Sequence, residues 1–408
     1  MAGEVVSEVA SEAILPPPQL AGYSEELACA EKDVDELESR LQRHPRDLEK
    51  RVRLAYRLFH CASLTGNMGQ FEAVEATILK TIAEFGPKED LCLLKANLDF
   101  RFHRLAEVRR DLQMCPLLSG RLEGRVLLAD LDFQEGRYET AREGYERLIE
   151  ENRTWDNLAR LAYWKSKLGE VAEADGLYEE AEDDLTAKQM RSYAWLELQR
   201  GVLALTHGRY ADARRHYRRA EESYPGHWYT DEHFAELLAA EGKFEDAEAL
   251  FQRVIARAPK PELQQALGEL YLFIGRQQEA QPWLDRALDG YLASVERGGV
   301  HYFHHLADFY TDAREQPDEA VHWAQKDIEM RSNFSTRTAM AWALYRDGQL
   351  SRGLEYIRMA LSSGVRDARI FSNAAAIFEA AGETIESQKY SEASRQINPN
   401  HHNFHMHH

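Results

Sequence analysis

Small and bulky side chains recur along the chain at a nearly constant interval. A glycine stands at the expected turn of most repeats, and the glycines of consecutive repeats are mostly 33 or 34 residues apart. A small residue stands seven positions before each glycine, and in five units another stands five positions after it, followed four positions later by a bulky one. Because the apolar positions within each segment have helical spacing, the pattern predicts repeated pairs of helices. The glycines are Gly136, Gly169, Gly208, Gly242, Gly275, Gly348 and Gly382.

The residue types at these positions explain how the helices would pack. Alanine or glycine, as at Ala129 and Gly201, lets two helix backbones approach closely, and a bulky residue such as Tyr217 fills the space to the next pair. Glycine at the turn relieves the backbone. Proline, as at Pro225, cannot continue a helix and therefore ends a unit. The chain is predicted to be a stack of helical hairpins that share a continuous core.

Two stretches carry a specific resemblance. GRYADARRHYRRAEESYP (Gly208–Pro225) and GKFEDAEALFQRVIARAP (Gly242–Pro259) resemble the tetratricopeptide repeat, a helix–turn–helix of about 34 residues with small residues at these offsets. The resemblance implies an all-α fold, a right-handed superhelical solenoid of about ten helix–turn–helix units of the bacterial multi-repeat type. An irregular helical bundle with accidental spacing is the alternative, which the fixed period disfavours.

The same pattern predicts five segments. Residues 122–400 form the regular array, and residues 55–121 form degenerate repeats, of which the one in 89–121 lacks the turn glycine. Residues 23–54 are expected to be an N-terminal capping helix, because repeat arrays need soluble ends. Residues 1–22 are an acidic, proline-rich leader expected to be flexible. Residues 401–408 are a histidine-rich tail.

The resemblance also implies where a ligand would bind. In such arrays the first helix of each unit lines a concave wall, and extended peptides or helices of partner proteins lie against it. Here the wall positions are six and three residues before, and one residue after, the small residue of each first helix. Ser335 and Thr338 also have this register, and the ten positions predicted to contact a ligand are Tyr229, Glu232, Glu236, Glu262, Gln265, Glu269, His301, His304, Asp308 and Trp342.

One wall segment, HYFHHLADFY from His301, has metal-ligand chemistry. On a helical wheel, His301, His304, His305, Asp308 and Asp312 share an arc of about 100°. Imidazoles three or four residues apart, with a carboxylate, can hold one metal ion. The alternatives are a polar wall that binds a peptide, and a solvated helix face without function.

The tail NPNHHNFHMHH supplies further histidines. The predicted metal ligands are His301, His304, His305 and Asp308 together with His402, His405 and His407, for zinc, copper or nickel, although no cofactor is required by the fold. Phe404 and Met406 could anchor the tail on the array. The tail could instead occupy the concave wall until protonation near pH 6 or a partner releases it.

Charge and composition restrict the partners. With 69 acidic and 50 basic residues the formal charge is −19, which disfavours nucleic acid and favours a basic or neutral protein or peptide. No apolar run is long enough for a membrane helix, and the N-terminus lacks the pattern of a signal peptide. The expected location is therefore cytoplasmic, with export of a longer precursor as the alternative. The four cysteines form no CxxC pair, which favours free thiols.

Known catalytic motifs do not appear in a suitable context. The sequence therefore predicts a non-enzymatic scaffold whose acidic, histidine- and aspartate-containing concave groove holds a peptide segment or helix of a partner. A metal-handling protein that uses His301, His304, Asp308 and the tail is the alternative.

Overall fold

In the computed structural model the described residues are 22–405, except 115 and 187. They contain 22 α-helices, one short π-helix and no strand. The first helices are α1 (Tyr23–Arg43), α2 (Leu48–Thr65), α3 (Met68–Phe85), α4 (Glu89–Arg101), α5 (Leu105–Met114), α6 (Pro116–Gly120), α7 (Leu122–Gln134), α8 (Tyr138–Glu151), α9 (Trp155–Lys167), α10 (Val171–Asp184) and α11 (Met190–Thr206). The others are α12 (Tyr210–Ser223), α13 (Trp228–Ala240), α14 (Phe244–Arg257), α15 (Pro261–Phe273), α16 (Gln277–Glu296), α17 (Phe303–Asp308), which continues as the π-helix Phe309–Ala313, α18 (Pro317–Met330), α19 (Phe334–Arg346), α20 (Leu350–Leu361), α21 (Ala368–Ala380) and α22 (Thr384–Ile397).

These helices pack as ten antiparallel pairs, numbered here as units 1 to 10. Units 1 and 2 are α2–α3 and α4–α5. Units 3 to 10 are α7–α8, α9–α10, α11–α12, α13–α14, α15–α16, α17–α18, α19–α20 and α21–α22. The all-α fold with about ten helix–turn–helix units is confirmed.

The small and bulky residues pack against one another as the sequence pattern predicts. A side chain added at Gly268 would lie 2.6 Å from the Cδ2 atom of Leu284, and one added at Gly201 would collide with the ring of Tyr217. The second small residue, such as Ala247, is fully buried. Close approach of the two helices within a unit therefore depends on the missing side chain.

Burial distinguishes the two helices of a unit. In unit 5 the first helix α11 buries residues around most of its circumference, including Arg191, Glu197 and Arg200. The second helix α12 buries one stripe, consisting of Ala213, His216, Tyr217 and Ala220. A helix that is buried all round lies inside a protein, and one with a single apolar stripe lies on its surface. The first helices therefore form the inner layer and the second helices the outer layer.

Units far apart in sequence touch through the hairpin turns. The turn of unit 3 meets the start of unit 9, where Asn333 donates its side-chain amide to the carbonyl of Gln134 at 3.2 Å. The turn of unit 4 meets the start of unit 10, where the Arg366 amide donates to the Lys167 carbonyl at 2.8 Å. Unit 2 meets unit 8 in the same way, since Phe102 packs against His301. The array therefore winds into a superhelix with about six units per turn, and successive turns are in direct contact.

Gly136 illustrates what this contact requires. Its φ angle is +78°, and a β-carbon there would collide with the carbonyl oxygen of Ser332. Glycine is needed both for the left-handed turn and for the approach of unit 9. The sequence spacing indicates the first requirement and gives no sign of the second.

The N-terminal region differs from the single capping helix expected for residues 23–54. Helix α1 ends at Arg43, before Pro45, and α2 begins at Leu48 as the first helix of unit 1. The side chain of Asp47 accepts a hydrogen bond from the amide of Lys50 at 3.0 Å and so caps the new helix. The expected leader, residues 1–22, lies outside the described residues apart from Gly22.

The structure also describes three of the four cysteines and the apolar character of the helices. Cys29 and Cys61 are free thiols, of which Cys61 is buried and Cys29 exposed, whereas Cys115 is not among the described residues. Within the described part of the chain, none of the helices has the length and apolar character that a membrane span requires.

Candidate binding face and histidine cluster

Nine of the ten predicted wall positions lie on the first helices of units 6 to 9, and His301 lies in the turn just before α17. We call this set of ten the inner face. Four of them are buried, namely Glu232, Glu236, Gln265 and His301. The other six, Tyr229, Glu262, Glu269, His304, Asp308 and Trp342, are half-buried. None is fully exposed, so the inner face is recessed rather than an open surface.

Hydrogen bonds connect side chains of this face within unit 7 and to the start of unit 8. The hydroxyl of Tyr291 donates to the Gln265 side-chain oxygen at 2.7 Å, and the Gln265 amide donates to Glu269 at 2.7 Å. The hydroxyl of Tyr302 donates to Glu262 at 3.2 Å. Unit 7 is therefore connected to unit 8 through polar side chains as well as through the core.

A cation that contacts an aromatic ring lies beside Glu262 of the inner face. Lys260 lies 4.0 Å from Glu262 and 4.1 Å from the ring centre of Trp228. Burial opposes ionisation of Glu262, but the Lys260 ammonium nearby holds the pKa of this carboxyl below its usual value. Glu262 is therefore ionised at neutral pH and contributes negative charge to the inner face.

At the other end of the face, Asp312 links units 8, 9 and 10. Its carboxylate accepts a hydrogen bond from the indole nitrogen of Trp342 at 3.1 Å and lies 3.6 Å from the guanidinium of Arg369. Trp342 in turn packs against Tyr345, with ring centres 5.2 Å apart. The aromatic position predicted for the wall is thus held by a carboxylate of the preceding unit.

The segment from His301 to Asp312 is not one regular helix. Helix α17 begins at Phe303, so His301 lies in the turn before it, and the helix changes to π geometry at Phe309. A π-helix inserts an extra residue per turn and shifts the faces that follow it. The helical wheel of 301–312 therefore places His301 and Asp312 incorrectly relative to His304 and Asp308.

His301 packs beneath the turn of unit 2. Its ring lies 5.9 Å from the ring of Phe102, its exposure is 6%, and both ring nitrogens lack a hydrogen-bond partner. Burial lowers the pKa of His301 to about 3, with Glu262 opposing the shift and His305 adding to it. The imidazole is therefore neutral in the folded protein at neutral pH.

This burial predicts a loss of stability in acid. An unfolded chain has a histidine pKa of 6.5, so below that pH the unfolded state binds a proton that folded His301 does not accept until about pH 3. The stabilisation is complete above pH 6.5 and decreases as the pH falls toward 3. At about pH 5 the titration of His301 should have lowered the free energy of unfolding by about 2 kcal/mol. Urea unfolding at about pH 7.5 and about pH 5, in the presence of a chelator, measures it.

His301→Gln is the matched comparison, because glutamine fills similar space and does not titrate. The wild type should lose about 2 kcal/mol more than the variant between the two pH values. Equal losses in both proteins would mean that His301 is protonated at little cost in the fold.

A three-residue cluster forms where unit 2 meets unit 8. His103 in the turn of unit 2, His304 in α17 and Asp327 in α18 each offer one ligand atom, and these atoms lie within 4.8 Å of one another. Of the predicted metal ligands that the structure describes, only His304 belongs to this group. His301, His305 and Asp308 lie outside it, although the His305 ring is 4.0 Å from that of His304.

His103 and Asp327 were not among the predicted metal ligands. The sequence contains a signal for His103, because the unit in 89–121 lacks its turn glycine and carries His103 at that position. Nothing in the sequence pairs it with His304, which is 201 positions later.

The tail packs against units 6 and 7. Phe404 is buried against Phe273 with ring centres 5.7 Å apart, and Asn403 donates to the Ala240 carbonyl at 2.8 Å. Burial lowers the pKa of His405, while the nearby Glu236 of the inner face opposes this shift. The described part of the tail is thus anchored through Phe404, as the sequence suggested. His402 is exposed, and His407 and Met406 lie outside the described residues.

Comparison with known proteins identifies the repeat type. Residues 204–270, which span the end of unit 5, unit 6 and most of α15, match the family model described as tetratricopeptide repeat. No match was found among the curated proteins. With the ten helical hairpins, this match confirms the predicted tetratricopeptide-type repeat.

The similar solved structures include two with low sequence identity to this chain. The crystal structure of the APC/C hetero-tetramer Cut9–Hcn1 is 14% identical, with a TM-score of 0.41, and the alignment covers 85% of this chain and 74% of that chain. A tetratricopeptide repeat protein from Parabacteroides merdae is 13% identical, with a TM-score of 0.38, covering 70% of this chain and 96% of that chain.

Proposed function

We propose that this protein is a non-enzymatic scaffold that binds an extended, basic or neutral segment of a partner protein along its inner face. The observation that supports the proposal is a row of carboxylates on consecutive first helices. Units 6 to 8 contribute Glu232, Glu236, Glu262, Glu269 and Asp308 to it. A repeat fold that presents equivalent positions at regular intervals suits a ligand that is itself extended.

The recessed position of the row favours a narrow ligand. Glu232 and Glu236 are buried, and Glu262, Glu269 and Asp308 are half-buried. An extended backbone can reach such positions with alternate side chains, whereas a helix needs a wider groove. Carboxylates in a recessed, low-dielectric site also attract cations more strongly than exposed ones do.

The composition of the face favours lysine or arginine in the ligand. The face presents five carboxylates, and Lys260 lies 4.0 Å from one of them, Glu262. The whole chain carries a formal charge of −19, so the field around the protein also steers positive segments toward it. A basic or neutral segment is therefore the proposed ligand.

A peptide-display library tests this proposal. The wild-type protein should select extended peptides that contain Lys or Arg. Glu269→Gln combined with Asp308→Asn removes two charges from the inner face and should weaken the selected peptides about 10-fold, as measured by fluorescence anisotropy at fixed salt.

The control removes two charges elsewhere. Glu222 and Glu245 are exposed on the outer helices α12 and α14. Glu222→Gln combined with Glu245→Gln should change affinity less than about 2-fold, since rim and remote charges act mainly on association rates. Equal weakening by both pairs, or selection of acidic peptides, would contradict a basic ligand on the inner face.

A further inference from the structure

The contact between units 2 and 8 brings two imidazoles and a carboxylate together. The rings of His103 and His304 have centres 5.4 Å apart and an interplanar angle of 54°. The Nδ1 atom of each is buried and has no hydrogen-bond partner. The ligand atoms of both histidines and of buried Asp327 lie within 4.8 Å of one another. Buried polar atoms are normally hydrogen-bonded, so two orphaned imidazole nitrogens at one place require an explanation.

The backbone at His103 supplies a second, independent observation. Its φ angle is +59°, in the left-handed region, and its amide donates to the Phe100 carbonyl at 3.0 Å. Gly136 makes the equivalent bond to Phe133 at 3.0 Å, so His103 stands at the turn-glycine position of its unit. A β-carbon in this conformation is costly, and glycine would remove the cost. Residues that keep such strain are concentrated at functional sites.

The protonation state of the histidines suits metal binding. Burial lowers the pKa of both His103 and His304 well below the usual value, and the guanidinium of Arg331 adds to this for both. Both imidazoles are therefore neutral at neutral pH, which is the form that donates a lone pair to a metal ion.

Arg331 also affects the third ligand. Its Nε atom lies 3.0 Å from one Asp327 oxygen, and a second nitrogen lies 3.4 Å from the other. A carboxylate has further lone pairs available, so Arg331 can orient Asp327 as an outer partner while the carboxylate binds a metal. The positive charge of Arg331 disfavours an added cation, so the nitrogen ligands must supply most of the affinity.

We propose that His103, His304 and Asp327 bind one divalent transition-metal ion of the zinc class, and that this ion links unit 2 to unit 8 across successive turns of the superhelix. Two imidazoles and a carboxylate leave one tetrahedral position open, and this donor set suits zinc better than calcium or magnesium, which prefer oxygen. Metal–nitrogen bonds of about 2.0–2.1 Å bring tetrahedral ligands to about 3.3 Å from one another, so the side chains draw together on binding. The inference is independent of peptide binding to the inner face.

Zinc titration of chelator-treated full-length protein tests the site. The wild type should bind one tight equivalent more than His103→Gly, and its melting temperature should rise with zinc by more than that of the variant. Since loss of outer partners alone weakens metal binding roughly 10–100-fold, loss of His103 as a ligand should weaken this equivalent by about 100-fold or more. The tail histidines are present in both proteins and cancel in the comparison.

His103→Gly is chosen because it restores the turn residue that the regular units use, so the variant should fold without metal. Asp327→Asn should also lose the equivalent, and cobalt should give a visible absorption band in the wild type that both variants lack. His322, exposed on α18, is the matched control, and His322→Gln should behave as the wild type. The proposal is overturned if His103→Gly binds the same number of tight equivalents as the wild type, or shows the same zinc-dependent rise in melting temperature.

Discussion

Replacing Trp228 by alanine should cost about 3–5 kcal/mol of unfolding free energy, because it removes a large buried side chain from a contact between superhelical turns. Trp228 begins unit 6, is 7% exposed, and donates its indole N–H to the Leu64 carbonyl at 2.9 Å. A side chain added at Gly66 would lie 2.8 Å from the Trp228 ring, so the two segments are tightly packed. Urea denaturation followed by circular dichroism measures the loss.

Two comparisons separate the contributions at this position. Trp228→Phe keeps an aromatic ring but leaves the buried Leu64 carbonyl without its donor, which should cost about 1–3 kcal/mol. Trp283→Ala removes a half-buried tryptophan of the outer helix α16 and should cost less than Trp228→Ala. Small-angle scattering should show that Trp228→Ala expands the protein and Trp283→Ala does not. A loss below about 1 kcal/mol for Trp228→Ala would mean that the turns hold together without this contact.

Arg160→Met should cost about 3–5 kcal/mol, because it leaves a buried carboxylate without its counter-ion. Asp130 is fully buried, and one of its oxygens lies 3.0 Å from the Nε atom of Arg160. The other Asp130 oxygen accepts a hydrogen bond from the Tyr145 hydroxyl at 2.9 Å. The Arg160 guanidinium also lies 2.7 Å from the Asp156 carboxylate. The cluster joins α7, α8 and α9, so its disruption affects units 3 and 4 together. Urea unfolding at neutral pH measures the change.

The control is a charge of the same type on the surface. Arg142 pairs with Glu139 and Glu146 within the outer helix α8, where solvent screens the interaction, and Arg142→Met should change stability little. The double variant Asp130→Asn with Arg160→Met removes both charges and should recover part of the loss. A double variant as unstable as the sum of the single variants would mean that charge burial is not the cause.

Asp130 also illustrates a limit of reading a binding wall from sequence register. It follows Ala129 as Glu236 follows Ala235, so it occupies a position equivalent to one on the inner face. In the fold its carboxylate is enclosed by Arg160 and Tyr145 instead. Register identifies the side of a helix, whereas the neighbouring units decide whether a charge on that side is available to a ligand.

The local signals in the sequence were sufficient for the repeats. Small residues at Gly201 and Gly268, bulky partners at Tyr217 and Leu284, and glycine turns each act between residues close in sequence. Their effect recurs every 33 or 34 residues, and it therefore identifies both the helices and their pairing. The anchoring role of Phe404 was also recognisable, because phenylalanine is among the residue types most often buried.

The superhelical contacts were decided by tertiary structure alone. His103 meets His304 and Trp228 meets Leu64 only because about six units complete one turn of the superhelix. The winding depends on small angles between successive units, which no residue pattern encodes directly. The sequence by itself therefore determined the helical hairpins and their inner sides, whereas the tertiary structure determined which distant residues form the recessed face and the histidine cluster. The physical reason is that hairpin packing is local and periodic, while contact between turns is the sum of many small rotations.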